Sequence, residues 1–121
     1  MGAVLVLGDE VIARAHNSTA GTCDPIAHAE ILCIREAAQQ LGSWRLLDAT
    51  LYCTLEPCAM CAGAMLQSRV GTLVYGARND LSGEVSHVMG RVHARRIGSI
   101  KQDGLNELGR LKTLGVICRR R

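Results

Sequence analysis

The 121-residue chain is long enough for one domain but not for two, and 48% of its residues are apolar, so a sizeable core is possible. No apolar run approaches the roughly 18 residues that a membrane helix needs, and Met1 leads into an apolar run without a basic segment, which argues against a signal peptide. Without a secretory segment, the six cysteines indicate a reducing compartment and metal binding rather than disulfides.

The net charge of +3 combines two regions of opposite sign. Residues 1–90 carry five Arg and nine Asp or Glu, a net charge of −4, whereas residues 91–121 carry nine Lys or Arg and two acidic residues, a net charge of +7. A basic end on an acidic body favours a polyanionic partner, nucleic acid first, and is equally typical of a solvated, disordered tail.

The N-terminal third predicts a hairpin and then a helix. Two strands are predicted at Ala3–Leu7 and Glu10–Ala15, joined by a turn at Gly8 and Asp9. A polar loop follows over residues 17–23. A helix is predicted to begin at Asp24 and Pro25, an N-cap followed by a first-turn proline, and to run to about residue 41, before Gly42.

The rest of the chain predicts two more strands and up to two more helices. Leu51–Leu55 is predicted as a strand, residues 58–68 as a helix and residues 71–76 as the site of a fourth strand. The leucines at steps of three over Leu105–Leu114 could form a further helix. The order β-β-α-β-α-β predicts a three-layer α/β domain with a mixed sheet, whose first two strands are antiparallel and whose later strands are parallel.

A split motif carries the chemistry: His28 and Glu30 in one segment, and Pro57, Cys58 and Cys61 in another. One imidazole and two thiolates suit zinc and leave its fourth position for water. A carboxylate beside such a site can take and return protons. This H-x-E and P-C-x-x-C pattern is the signature of zinc deaminases, so a hydrolytic deaminase with one Zn²⁺ per chain is predicted.

A structural zinc site is the alternative for these ligands. It would need a fourth ligand, for which the candidates are Cys23, Cys33, Cys53 and His16. Cys33 lies about 140° round the helix from His28, so it is predicted to point away, and Cys53 suits the core. The presence of Glu30 favours a catalytic site, because a structural zinc site does not require a carboxylate beside its histidine ligand.

The two motifs resemble those of the tRNA-specific adenosine deaminases. Residues 24–31 read DPIAHAEI, residues 49–65 read ATLYCTLEPCAMCAGAM, and residues 73–78 read LVYGAR. The H-A-E and P-C-x-x-C elements are shared by all zinc nucleobase deaminases, whereas the extended second motif is more specific to this family. The resemblance covers residues 2–83 of a single deaminase domain, 1–121, and leaves residues 84–121 as a divergent basic segment.

The resemblance implies a three-layer α/β/α cytidine-deaminase-like fold, a homodimer, and conversion of the wobble adenosine of a tRNA anticodon loop to inosine. His28, Cys58 and Cys61 would hold zinc, and Glu30 would be the catalytic acid and base. Asn17, Ala29 and Pro57 would contact the substrate, although Asn17 by itself is typical of a turn. A bacterial cytoplasmic or organellar location is implied.

The chain departs from the family at three places. It opens at the first strand, where relatives have an amphipathic helix, so apolar sheet surface is expected to be uncovered unless a partner or a different packing covers it. It also has no aromatic residue after Tyr75. Asn79 stands where many relatives carry aspartate, so we hypothesise that binding extends to single-stranded DNA, with an ordinary turn asparagine as the alternative.

Three other readings compete with this one. A guanine or cytosine deaminase would use the same zinc ligands on a free base. A zinc-stabilised partner subunit would lack activity, and such subunits typically lack the glutamate that is present here as Glu30. A chain with a correct site that is too incomplete to fold is the third.

Overall fold

The computed structural model describes residues 1–83 and 93–96, which form one mixed sheet and the helices beside it. The strands run in the order β2-β1-β3-β4-β5 across the sheet. The strands are β1 (Gly2–Leu7), β2 (Glu10–His16), β3 (Ala49–Leu55), β4 (Thr72–Ala77) and β5 (His93–Arg96), and the helices are α1 (Thr19–Thr22), α2 (Ala29–Leu41) and α3 (Ala59–Gln67).

The predicted hairpin is present, with Gly8 in the left-handed region at a φ of 62°. β1 pairs antiparallel with β2 on one side and with β3 on the other. The pairing steps from Leu5↔Ala13 to Val6↔Val11, so Ile12 is the extra residue of a β-bulge. Residues on both sides of the bulge therefore keep their apolar side chains toward the two buried faces.

The other half of the sheet is parallel, as predicted from the helix that connects β3 to β4. β3 pairs with β4 from Thr50↔Thr72 to Leu55↔Ala77, and β4 pairs with β5. The mixed sheet is confirmed, but β5 was not predicted, because the apolar pattern weakens after Gly76. The helix predicted at Leu105–Leu114 lies outside the described residues.

Helices α2 and α3 pack on the same face of the sheet. Their buried side chains include Cys33 and Ile34 of α2 and Met65 of α3, which meet Leu5, Leu51 and Leu73 of three neighbouring strands. α2 ends as predicted at Leu41, where Gly42 adopts a left-handed φ of 62°. This layer holds the beginnings of α2 and α3 at the edge of the sheet where β3 and β4 end.

The opposite face of the sheet is also buried. Val4, Val6, Tyr52 and Val74 form a second apolar cluster in which no side chain is more than 6% exposed. These four residues are therefore covered within the chain, in line with the alternative of a different packing. Within the described residues, no helix is long and apolar enough to cross a membrane.

The predicted start of the main helix is also wrong. The Asp24 carboxylate accepts the Ile26 N–H at 3.0 Å, so it closes a local turn instead of capping a helix. The Ala27 N–H then donates to the Asp24 carbonyl, and α2 begins only after His28, its N-cap. A second difference is α1, four residues inside the predicted polar loop, for which the short sequence carries no periodic signal.

Candidate metal centre and active site

The predicted ligands meet where two helices begin beside the end of β3. His28 and Cys58 are the N-cap residues of α2 and α3, and both have extended backbone conformations. Neither side chain caps its helix by a hydrogen bond, so both are directed to other partners. Cys61 lies in the first turn of α3 and is buried. The positive end of a helix dipole favours thiolate sulfurs at such positions.

The three ligand atoms form a nearly equilateral triangle. His28 Nδ1 lies 3.7 Å from Cys58 Sγ and 3.5 Å from Cys61 Sγ, and the two sulfurs are 3.7 Å apart. With ordinary zinc bond lengths, tetrahedral ligands would be separated by about 3.8 Å for two sulfurs and about 3.6 Å for sulfur and nitrogen. The donor set and its spacing therefore fit a tetrahedral metal ion such as zinc.

The group of ligands has three members. Within the described residues, no further His, Cys, Asp or Glu places a ligand atom within 4.8 Å of all three. Cys33 and Cys53 are buried in the main core. This agrees with the predictions that Cys33 points away from His28 and that Cys53 belongs to the core. Cys23 and His16 are exposed and outside the group. Among residues 1–83, no protein ligand for the fourth position of a tetrahedral ion accompanies the three, which is the donor number of a catalytic site.

Glu30 acts directly on this group from the first turn of α2. Burial raises the pKa of the Cys61 thiol, and the negative charge of Glu30 and a hydrogen bond to it raise that pKa further. Glu30 is two residues from His28, yet the open helix end lets both side chains face Cys61. A bound cation would reverse the effect on the thiol, because metal ligation requires the deprotonated sulfur.

Asn17 belongs to a turn that adjoins the histidine segment. Its side-chain Oδ1 accepts the Thr19 N–H at 3.2 Å, and the next residue, Ser18, donates its N–H to the Ala27 carbonyl at 3.0 Å. The structure therefore brings Asn17 to the segment of His28 and gives its oxygen a turn-forming role. Ala29 and Pro57, the other predicted substrate contacts, are buried beside the two ligand segments.

Asn79 follows β4 at the same edge of the sheet. Its Oδ1 accepts the N–H groups of Leu81 and Ser82 at 3.3 and 3.2 Å, and its Nδ2 donates to Ser82 Oγ at 2.8 Å. The side chain is thus engaged in the turn, and its backbone N–H donates to Glu56 Oε2 at 3.1 Å. A contact of Asn79 with substrate remains a prediction.

Sequence reasoning missed Glu56 and Gly83. Glu56 is 6% exposed, and Gly83 forms an isolated antiparallel bridge with the ligand Cys58. A carboxylate directly before Pro57, within an otherwise apolar strand end, was the one available signal for Glu56. Gly83 carries no local signal, because its role depends on a residue 25 positions earlier.

The sheet and the three-ligand group define a cytidine-deaminase-like protein. The model of the MafB19-like deaminase family matches residues 1–108, and the chain belongs to that family. The predicted fold class is thus confirmed, with the sheet and one helical layer in the described residues.

Two curated relatives are similar over 83 residues, or 69% of this chain. The chloroplastic tRNA(adenine(34)) deaminase of Arabidopsis thaliana is 59% identical and the tRNA-specific adenosine deaminase of Bacillus subtilis is 57% identical. The matched region is 6% of the Arabidopsis protein and 52% of the Bacillus protein. The chain therefore spans about half of the bacterial relative. The predicted resemblance to this group is confirmed.

Solved structures show the same fold. A chain from a study of A-to-I editing by tRNA:A34 deaminases aligns with a TM-score of 0.74 and 42% identity, over 78% of this chain and 80% of that one. The guanine deaminase of Bacillus subtilis aligns with a TM-score of 0.65 over 99% of this chain and 82% of that one, at 24% identity. The second likeness shows the fold alone.

Proposed function

We propose that this chain is a zinc-dependent hydrolytic deaminase that converts adenosine to inosine in nucleic acid, with the wobble adenosine of a tRNA anticodon loop as substrate. The observation that carries the proposal is the triangle of His28, Cys58 and Cys61, which has no fourth ligand among the described residues and whose Cys61 interacts with Glu30. A site with three protein ligands and an adjacent carboxylate is the arrangement of hydrolytic zinc enzymes.

The residues divide the chemistry between them. His28, Cys58 and Cys61 would hold one Zn²⁺ per chain, and that ion supplies a water of lowered pKa. Glu30 is the acid and base: its carboxylate accepts the proton from the attacking water and delivers protons to the base and to the departing ammonia. Its place in the first turn of α2 and its interaction with the Cys61 thiol support this role.

The choice of adenosine over other bases rests on similarity in sequence. Both relatives above carry names that specify tRNA adenosine deamination, at 59% and 57% identity. The net charge of +7 over residues 91–121 supports a polyanionic substrate. Asn17, Ala29 and Pro57 are proposed to contact the flipped base, because each lies in or beside a segment that carries a metal ligand.

The remaining proposals concern the whole protein. We propose that residues 1–121 form a single deaminase domain that works as a homodimer, as the resemblance implies. Relatives include bacterial and chloroplastic enzymes, which supports a bacterial cytoplasmic or organellar location. Light scattering of the purified, zinc-loaded chain tests the dimer, since a monomeric mass at micromolar concentration would contradict it.

The test of the function is a substrate panel. The zinc-loaded chain is incubated with an anticodon stem-loop carrying adenosine at the wobble position, with free guanine and with free cytosine, and the products are quantified by chromatography. Glu30→Ala and Glu36→Gln, the latter a matched control on the same helix, are run in parallel. Inosine from the wild type and from Glu36→Gln, but not from Glu30→Ala, is expected.

Other outcomes identify the competing functions. Xanthine or uracil without inosine would replace the proposal with a free-base deaminase. No product from a folded chain that holds zinc would replace it with a silent partner subunit.

A further inference from the structure

We propose that Glu56 is a positioning residue whose buried carboxylate holds the turn of residues 79–83, called here the rim turn, against the metal ligand Cys58. The inference rests on the zinc site of the proposed function. It assigns a role to three residues outside the ligand set and the proton-transferring carboxylate: Glu56, Asn79 and Gly83.

Two hydrogen bonds join Glu56 to the end of β4 and to the first residue of the rim turn. Its own N–H donates to the Ala77 carbonyl at 2.8 Å, and its Oε2 accepts the Asn79 N–H at 3.1 Å. The side chain is 6% exposed, and a buried carboxylate is costly unless donors compensate for the lost water. The hydrogen bond from Asn79 is therefore a strong constraint on where the rim turn begins.

The rim turn is closed by its first residue. The Asn79 side-chain oxygen accepts two N–H groups, from Leu81 and Ser82, and the Asn79 carbonyl accepts the Gly83 N–H at 2.8 Å. These bonds close the rim turn within five residues, from Asn79 to Gly83. Anchoring Asn79 through Glu56 thus also fixes the position of Gly83.

Gly83 connects the rim turn to the metal ligand Cys58. Its backbone forms an antiparallel bridge with Cys58. A Cβ at position 83 would lie 2.5 Å from the Asn79 carbonyl oxygen and 2.6 Å from Glu56 Oε2, both closer than real Cβ atoms approach. The carboxylate therefore packs directly on the Gly83 backbone, and any side chain here would separate the rim turn from Glu56, Cys58 or both.

The functional consequence concerns the metal ligand. Groups that surround the ligands set their orientation, and their loss typically weakens metal binding by about 10–100-fold. Cys58 is the N-cap of α3 and only partly buried, so the backbone bridge to Gly83 restrains a ligand at the solvent side of the site. Loss of the Glu56 hydrogen bond should release that restraint and speed the loss of zinc.

The experiment measures zinc release from the full, zinc-loaded chain into an excess of a colour-forming chelator. The test variants are Glu56→Ala, Glu56→Gln, Gly83→Ala and Asn79→Ala. Gly63→Ala is the matched glycine control, because a Cβ there meets nothing within 4 Å. Val74→Ala controls for general destabilisation, since it truncates a buried side chain on the opposite face of the sheet.

We expect release at least about 10-fold faster from Glu56→Ala and Gly83→Ala than from the wild type, in line with losses of surrounding groups at other metal sites. Asn79→Ala should release faster to a smaller extent, and it keeps the test decisive if Gly83→Ala fails to fold. Glu56→Gln keeps an acceptor oxygen and should stay close to the wild type. Gly63→Ala and Val74→Ala should leave the rate unchanged, although Val74→Ala lowers the melting temperature.

Three results would overturn the proposal. In the first, Glu56→Ala and Asn79→Ala release zinc at the wild-type rate. In the second, Glu56→Gln accelerates zinc release as much as Glu56→Ala does. In the third, Val74→Ala accelerates zinc release as much as Glu56→Ala does. The readout needs no substrate, so it separates this inference from the proposed function. A chain that holds zinc with the expected rates but deaminates nothing would contradict the function alone, and a wild type that binds no zinc would contradict both.

Discussion

His28 Nδ1 lies 3.5 Å from Cys61 Sγ, although 33 residues separate the two in the chain. The contact exists because α2 and α3 pack on the same face of the sheet and both begin at the edge where β3 ends. Two helix beginnings, each with a potential ligand as its N-cap, therefore converge on one point. The donor set of the metal centre is a product of this packing.

The first prediction concerns the metal. Cys61→Ser should abolish stoichiometric zinc binding, because a neutral hydroxyl is a poor substitute for one of the two thiolates in the described ligand group. Zinc content after gel filtration is measured by atomic emission. Cys53→Ala is the control: its thiol is buried in the core outside the ligand group, so one zinc per chain should remain. Loss of zinc from Cys53→Ala would favour a four-ligand structural site.

Removal of the metal should also destabilise the fold. A ligand that binds only the native state stabilises it by about 2.7 kcal/mol at 100 times its dissociation constant. We therefore expect a chelator to lower the melting temperature of the wild type by several degrees. The same treatment should leave Cys61→Ser unchanged, and an equal shift in both proteins would show that the chelator acts elsewhere.

The second prediction concerns the end of α2. Gly42 has a left-handed φ of 62° and donates its N–H to carbonyls of the last helical turn. A side chain is disfavoured in that conformation, so Gly42→Ala should lower the free energy of unfolding by about 1 kcal/mol. Urea titration measures the change. Gly21→Ala, in α1 with open space around the new Cβ, should cost nothing, and equal losses in the two variants would contradict the explanation.

The third prediction concerns the choice between RNA and DNA. If Asn79 relaxes selectivity because it lacks the charge of aspartate, the wild type should produce inosine from single-stranded DNA, and Asn79→Asp should reduce that product more than the RNA product. Aspartate keeps the oxygen that accepts the N–H groups of Leu81 and Ser82, so the turn should survive. No DNA product from a wild type that converts RNA would rule out the hypothesis.

The fourth prediction is a pH dependence of stability. Burial raises the pKa of the Cys33 thiol to about 12. A hydrogen bond with the Leu5 backbone lowers this pKa, whereas the negative charges of Glu36 and Glu30 raise it further. In the unfolded chain a cysteine ionises near pH 8.5. The protonated native thiol therefore contributes its full stability below about pH 8.5, and that contribution falls as the pH rises toward 12, by up to about 1.4 kcal/mol per pH unit.

Unfolding free energies at pH 8, 9 and 10 test this dependence. Cys33→Ala should be less stable at pH 8, because it removes a buried sulfur, and should lose less stability between pH 8 and 10 than the wild type. Cys23→Ser is the control, since Cys23 is exposed. Equal slopes for the wild type and Cys33→Ala would show that this thiol does not titrate as proposed.

Much of the site could be predicted because its parts are local. A cysteine pair three residues apart at a helix start, and a histidine two residues before a glutamate, are patterns that survive small errors in element boundaries. The error at Asp24 illustrates this tolerance. The helix begins four residues later than predicted, yet His28 and Glu30 keep their relation, because both belong to the true beginning of α2.

The residues themselves determined the ligand chemistry, the order of strands and helices up to β4 apart from the short α1, and the mixed sheet, because periodicity, turn residues and ligand spacing are features of short segments. The tertiary structure decided the rest. It showed that the apolar cluster on the second face of the sheet is buried and that the Asn79 side chain forms hydrogen bonds within a turn. It also showed that Glu56 and Gly83 are in contact beside Cys58. Those relations join positions far apart in the chain, and only packing brings them within range of steric and hydrogen-bonding forces.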